Sequence, residues 1–194
     1  MDRRFLIIVP VLALLFAFGC GSKDKADVTI NTGDGKMSVQ SSDGKSTVTA
    51  EGANGEKVTM DSKNGEMSMT STDKDGKKTS ATIGGNTNIT EADLGVRFYP
   101  GSTEKPSEQM KVDSDAEKDI MTCRTTSDDP QKVSDFYKDK VKNFSTTSST
   151  TGDMTMVVCG GELASGAKFS LTAMKKKDAK DTEIRASSSL KKTK

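Results

Sequence analysis

Six turn dipeptides, Asp34-Gly35, Asp43-Gly44, Asn54-Gly55, Asn64-Gly65, Asp75-Gly76 and Gly84-Gly85, recur at intervals of 9 to 11 residues. Asp-Gly and Asn-Gly suit two-residue hairpin turns, because both central residues need positive φ. Between the turns apolar residues alternate with Ser and Thr: Val28/Ile30, Met37/Val39, Val48/Ala50, Val58/Met60, Met67/Met69 and Ala81/Ile83. A period of two is the strand period. Residues 22–90 therefore read as a row of short antiparallel hairpins, one strand per interval.

The energetics of such a row are thin. Each strand offers about two small or flexible apolar groups and no aromatic, and at roughly 25 cal/mol per Å² of apolar burial this barely offsets backbone ordering. Two outcomes stay open. One is a mostly solvated β-meander, resembling the single-layer sheets of some spirochaete surface lipoproteins; the other is a disordered tether. In both, the region reads as a spacer. Asp73-Lys74-Asp75-Gly76 superficially matches a calcium loop. Counting from Ser71, however, the twelfth position is Thr82, where an EF-hand needs glutamate, so the segment reads as a turn.

The N-terminus carries Asp2, Arg3 and Arg4, then an apolar run from Phe5 to Phe18 broken only by Pro10, then Gly19-Cys20. The run is shorter than the roughly 20 residues of a spanning helix, and its layout is that of a secretory signal. Ala17-Phe18-Gly19-Cys20 resembles the lipobox of bacterial lipoproteins. That resemblance implies cleavage before Cys20 and a lipid-modified Cys20 thiol; the alternative is an ordinary signal peptide with a chance cysteine. One acyl chain binds a bilayer marginally and two or more bind it stably, so the partner implied is the membrane itself. Gly21, rather than Asp, points to the outer membrane, with the chain facing periplasm or exterior. The expected division is a signal peptide over 1–19, a lipidated N-terminus and Gly/Ser/Thr-rich hairpin region over 20–90, and an α+β domain over 91–194.

Removing the leader changes 29 basic and 28 acidic residues to 27 of each. A neutral chain with mixed signs lacks the electrostatic footprint of a nucleic-acid binder. Lys175-Lys176-Lys177 and Lys191-Lys192-Thr193-Lys194 read as solvated ends rather than lipid contacts.

Beyond the leader every aromatic lies after residue 97: Phe98, Tyr99, Phe136, Tyr137, Phe144 and Phe169. Only this half can build a thick core. Leu94, Val96 and Phe98 alternate before a Tyr99-Pro100-Gly101 turn; Met110 and Val112 suggest a second strand, and Ile120 to Thr125 a third. Asp129 is the expected N-cap of a helix with Pro130 at its first position. Val133, Phe136, Tyr137, Val141 and Phe144 then form one apolar stripe on a helix of about 13 residues. Met154 to Cys159, Lys168 to Met174 and Thr182 to Leu190 read as three more strands, with Gly160-Gly161 and Ser165-Gly166 in the turn between the first two. The order β-β-β-α-β-β-β implies an antiparallel sheet covered by one helix. The whole is an α+β chain in which a weak hairpin repeat precedes that domain.

Leu94 to Ser102, with the Tyr99-Pro100-Gly101 turn, followed by Thr125 to Lys138, with its Asp128, Pro130, Val133, Phe136 and Tyr137 spacing, resembles a group of uncharacterised bacterial envelope lipoproteins. The resemblance implies an envelope location and no established activity. Its motifs are those of turns and caps.

Cys123 and Cys159 fall in strands flanking the helix. In an oxidising envelope they are a disulfide candidate; two buried free thiols are the alternative. There is no histidine in the chain, which removes Ser-His-Asp and Cys-His catalysis and His-ligated zinc. Ser-x-x-Lys spacings such as Ser42/Lys45, Ser102/Lys105 and Ser165/Lys168 start no expected helix and lack a companion Lys-Thr-Gly. We assign no catalytic or metal-ligating residue and no cofactor. The expectation is a non-enzymatic, membrane-anchored envelope protein with a binding or structural role and an envelope protein or surface ligand as partner. A surface adhesin using the hairpin region, and an enzyme accessory subunit or small enzyme, are the alternatives. A binding module would expose an apolar or aromatic patch near Phe98-Tyr99.

Overall fold

The computed structural model describes residues 26–192 apart from 34 and 86. The leader, Cys20 and the first residue of the Asp34-Gly35 turn lie outside the described residues.

Asp43 and Gly44 have φ of 50° and 74°, and Asn64 and Gly65 of 52° and 78°, so these pairs form the two-residue turns with both centres left-handed. At Asn54-Gly55 and Asp75-Gly76 only the glycine is left-handed, which is the longer hairpin with a terminal glycine bulge. Asp73 fixes its turn by accepting the amides of Asp75 and Lys77, each at 2.9 Å. These four turns connect β2 (Gly35–Ser42), β3 (Lys45–Gly52), β4 (Lys57–Lys63), β5 (Glu66–Thr72) and β6 (Lys78–Gly84), and β1 (Ala26–Thr32) precedes them, each strand antiparallel to the next. Gly35, expected in a turn, is instead the first residue of β2, opposite Thr32.

Gly84-Gly85 does not close a hairpin. Both glycines are left-handed, and the chain leaves the sheet there. A Cβ on Gly85 would lie 2.4 Å from the Cβ of Glu66, so the exit hugs the neighbouring strand.

The expected strand from Leu94 to Phe98 does not form. Thr90 accepts the Asp93 amide at 3.1 Å and Asp93 accepts the Thr90 amide at 3.2 Å. This reciprocal cap starts α1 (Glu91–Leu94), which Gly95 ends at φ 82°. The alternation of Leu94, Val96 and Phe98 is a coincidence of a helical turn followed by a loop. After β7 (Thr103–Glu104) and a 3-10 turn (Pro106–Glu108), β8 (Met110–Ser114) pairs with both β6 and β9 (Glu117–Thr126).

Asp129 is the N-cap and Pro130 opens α2 (Pro130–Tyr137), although the Asp129 side chain makes no capping bond. The helix is 8 residues long rather than about 13. Beyond it the β-branched run Thr146, Thr147, Thr150 and Thr151 favours extended backbone and forms β10 (Lys142–Thr151). Val141 still enters the core, from the helix–strand junction. β11 (Met154–Glu162) continues through Gly160-Gly161, which were expected in a turn; a Cβ on Gly161 would lie 2.3 Å from the Lys142 carbonyl. β12 (Lys168–Lys176) and β13 (Thr182–Lys191) complete the set.

All strands join one antiparallel sheet in the order β1-β2-β3-β4-β5-β6-β8-β9-β13-β12-β11-β10, with β7 added beside β9. Among the described residues the fold is thus sheet-rich α+β with two short helices. α2 packs on β11 and β12. Its own Val133 and Tyr137 pack onto Phe169, Leu171, Ala173, Ile184 and Ala186 beneath it, all buried. Edge-on ring contacts link Tyr99 to Phe136 and Phe136 to Tyr137 at 5.4 and 4.9 Å, a favoured aromatic geometry.

Register shows how the apolar side of the sheet is arranged. Val28, Val39, Val48, Met60, Met69, Ala81 and Val112 oppose one another across β1–β6 and β8. The same face of the ladder continues as Asp119, Met121, Cys123 and Thr125 on β9, the side opposite α2. The meander is therefore apolar on one face, and the C-terminal strands are apolar on the other. No helix among the described residues is long and apolar enough to cross a membrane.

Candidate functional site

The side of β9, β13, β12 and β11 turned away from α2 carries Cys123, Thr125, Glu183, Arg185, Ser187, Ser189, Ser170 and Thr172, with Met174, Met156 and Val158 toward β11. It holds two features: an ion-pair cluster and an open groove.

The cluster forms where the 3-10 turn folds over this face. The Lys105 amide donates to the Cys123 carbonyl at 2.9 Å, and this bond places the Lys105 and Glu108 side chains above β9 and β13. Lys105 Nζ contacts Glu108 at 2.5 Å and Glu183 at 2.9 Å. Arg185 contacts Glu183 at 2.7 Å and Glu108 at 2.9 Å. Each carboxylate thus has two cationic partners, and the four charges cancel. Hydrogen bonding to Glu108, then to Glu183, holds Lys105 charged well above its ordinary range. The Lys105 ammonium in turn holds both carboxylates below theirs.

Cys123 lies under this cluster, 1% exposed. Burial, followed by the charges of Glu183 and Glu108, pushes its thiol up to about 11. A thiol that stays protonated at neutral pH is a poor nucleophile and a poor metal ligand. The Cys123 sulfur and one oxygen from each of Glu108 and Glu183 lie within 4.8 Å of one another, close enough to share a cation. A divalent ion would have to displace Lys105 and ionise Cys123. As built, the cluster clamps the 3-10 turn onto the sheet.

The groove has a volume of about 880 Å³ and is lined by Met110, Asp119, Met121, Lys168, Ser170 and Ser187, among others. Methionines form the end that adjoins the meander. Ser187, Ser189 and Ser170 line its middle, and Gly161 and Glu162 of β11 its far end.

Cys123 and Cys159 are both free and both buried. Cys159 opposes Leu171, which opposes Ala186, which opposes Thr122. Cys159 therefore shares the face of Thr122, beneath α2, while Cys123 is on the other side. Two strands also separate them, roughly 14 Å at the usual strand spacing, and a disulfide needs Cα atoms within about 7 Å. The structure does not bring the pair together. Phe98 and Tyr99 form no exposed aromatic patch. Tyr99 is buried, and the Arg124 guanidinium sits 4.3 Å from the centre of the Phe98 ring. Lys175, from the first basic cluster, contacts Asp129 at 3.4 Å at the start of α2.

Sequence reasoning missed Lys105, Glu108, Glu183 and Arg185. Glu183 and Arg185 alternate on one strand, which is a weak signal. Nothing in the sequence ties them to a turn more than 70 residues earlier.

Comparison with protein-family models, curated proteins and solved structures finds no match to this chain.

Proposed function

We propose that the chain is a lipid-anchored envelope protein with a non-enzymatic, binding or structural role, in which the hairpin region spaces the helix-covered core from the membrane. The observation that carries this reading is the pairing of β6 with β8, which continues the hairpin ladder into the sheet of the core. A meander joined in this way is a stiff extension rather than a loose tether. Six strands at about 4.8 Å each would set β1, the strand nearest Cys20 in sequence, roughly 30 Å from the core. The chemistry of the ion-pair cluster is consistent with a non-catalytic role, since its thiol stays protonated and its carboxylates are neutralised in place.

The test is the intact mass and membrane partitioning of the mature protein from its native host, beside a Cys20→Ser variant. The expected result is a lipid-sized mass increment on an N-terminal Cys20 and membrane association, both lost in the variant. An unlipidated, soluble wild-type product would overturn the anchor.

A further inference from the structure

We infer that the apolar face of the β1–β6 meander packs face to face against the same face of a second copy of this chain, forming a two-layer sandwich. The distribution of side chains carries the inference. On one face of β1–β6 and β8 the register places Val28, Ile30, Met37, Val39, Val48, Ala50, Val58, Met60, Met67, Met69, Ala81, Ile83, Met110 and Val112, with Ser and Thr at the margins. Among the described residues of these strands that face carries no charged side chain. The reverse face carries Asp27, Lys36, Lys45, Glu51, Lys57, Asp61, Lys63, Glu66, Lys78, Lys111 and Asp113, and no apolar one. Salt bridges and hydrogen bonds such as Lys57–Glu51 at 2.9 Å and Thr47–Asp61 at 2.6 Å run across the reverse face.

Alternation this strict is the pattern of a sheet with one buried and one solvated face. Yet no described element covers the apolar side: Val28, Ile30, Met67 and Ile83 are 39 to 45% exposed, and on this face Val48 is buried, at 6%. The core of the same chain cannot fold back over it, because the two are parts of one continuous ladder.

The dimensions suit a second copy. With strands about 4.8 Å apart and same-face residues about 6.8 Å apart, seven strands by three rows cover roughly 600–700 Å² per copy. A standard specific interface covers about 800 Å² per partner. Two such sheets pack about 10 Å apart with their strands within about 30° of each other. A bilayer is the poorer occupant, since surfaces that lie on membranes carry aromatic and basic residues and this face has neither. β4 is the middle strand of the seven, so a two-fold axis through the centre brings Met60 against Met60 of the second copy.

The experiment is sedimentation of the full mature chain as Cys20→Ser, with Met60→Glu and, on the reverse face, Thr59→Glu. The Cys20→Ser background makes the result independent of the anchor. The expected result is a concentration-dependent dimer that Met60→Glu weakens at least tenfold and Thr59→Glu leaves intact. A second pair of variants keeps the test decisive if Met60→Glu does not fold: Met60→Cys should cross-link to itself under mild oxidation, and Thr59→Cys should not. A wild-type chain that stays monomeric at about 100 µM, well above the dissociation constants of specific interfaces of this size, would overturn the inference. So would equal effects of the two glutamates, equal cross-linking of the two cysteines, or binding of the face to phosphatidylglycerol vesicles in place of self-association.

Discussion

The Tyr99 hydroxyl donates to the Asp128 carboxylate at 2.7 Å, joining the Tyr99-Pro100-Gly101 turn to the loop that opens α2. Asp128 also receives Lys132 at 2.8 Å, and its backbone carbonyl accepts the Thr182 hydroxyl at 2.6 Å. One short loop thus ties a turn, a helix and β13 together. Tyr99→Phe keeps the ring against Phe136 and deletes only the bond to the carboxylate. It should lower stability by about 1–2 kcal/mol, read as a fall in the urea midpoint at unchanged slope.

Stability should decline at alkaline pH through the buried thiol. In the unfolded chain Cys123 ionises from its ordinary 9.0, and in the folded chain it stays protonated up to about 11. The contribution is complete below pH 9 and is lost as pH rises through 11. Tyr99, held up to about 12 by burial and by Asp128, acts with the same sign at higher pH. Cys123→Ala should make the decline between pH 9 and 11 shallower. An unchanged slope would count against the buried position.

Asp93 governs the acid side. Burial alone would raise it, but hydrogen bonds from Lys111, Thr90 and Lys118 outweigh burial and hold it well below its ordinary 3.8. Its contribution is present above pH 3.8 and is lost as pH falls toward the folded value. Asp93→Asn should cost about 1–2 kcal/mol at neutral pH and flatten the loss of stability below pH 4. Denaturant titrations across that range measure both.

Both thiols should resist modification in the folded Cys20→Ser chain and react together in denaturant, with no mass difference between oxidised and reduced samples. Thiol titration and intact mass check this directly. A two-proton mass deficit removed by reductant would contradict the opposite-face placement of Cys123 and Cys159.

Substitutions should separate core from meander. Leu171 is fully buried under α2, and Leu171→Ala should cost about 2–5 kcal/mol. Gly65 sits at φ 78° with open space around its Cα, so Gly65→Ala should cost about 1 kcal/mol through backbone strain alone. Thermal unfolding of the two variants compares them.

What the sequence revealed follows the range of the forces involved. The turns at Asp43-Gly44, Asn54-Gly55, Asn64-Gly65 and Asp75-Gly76 were legible because positive φ is a local demand that Asn, Asp and Gly answer in place, while Gly35 falls in a strand and Gly84-Gly85 leads out of the sheet. The strands between them were legible because alternation is local too. Asp129 and Pro130 located the start of α2 for the same reason. The end of α2 was misjudged because Val141 and Phe144 keep helical spacing, and only the threonine run that follows shows that the backbone has become extended. The Thr90–Asp93 cap was present in the sequence and was masked by the apolar alternation of Leu94, Val96 and Phe98. The relation between the cysteines depended on strand order and on the parity of register. Pairing of β9 with β13 sets both, and no local pattern reports it.

Pairing by neighbours alone also sets how the sheet comes apart. In the monomer β1 is held by β2, β2 by β1 and β3, and so on inward to β8, with no second layer among the described residues to bind distant strands together. Opening can therefore begin at β1 and advance one strand at a time, each step exposing few apolar contacts, while the core beneath α2 opens only with the whole domain. Amide protons of the Met60→Glu monomer should record this as a graded series, exchanging fastest in β1 and progressively more slowly toward β6, then an abrupt rise in protection from β9 onward.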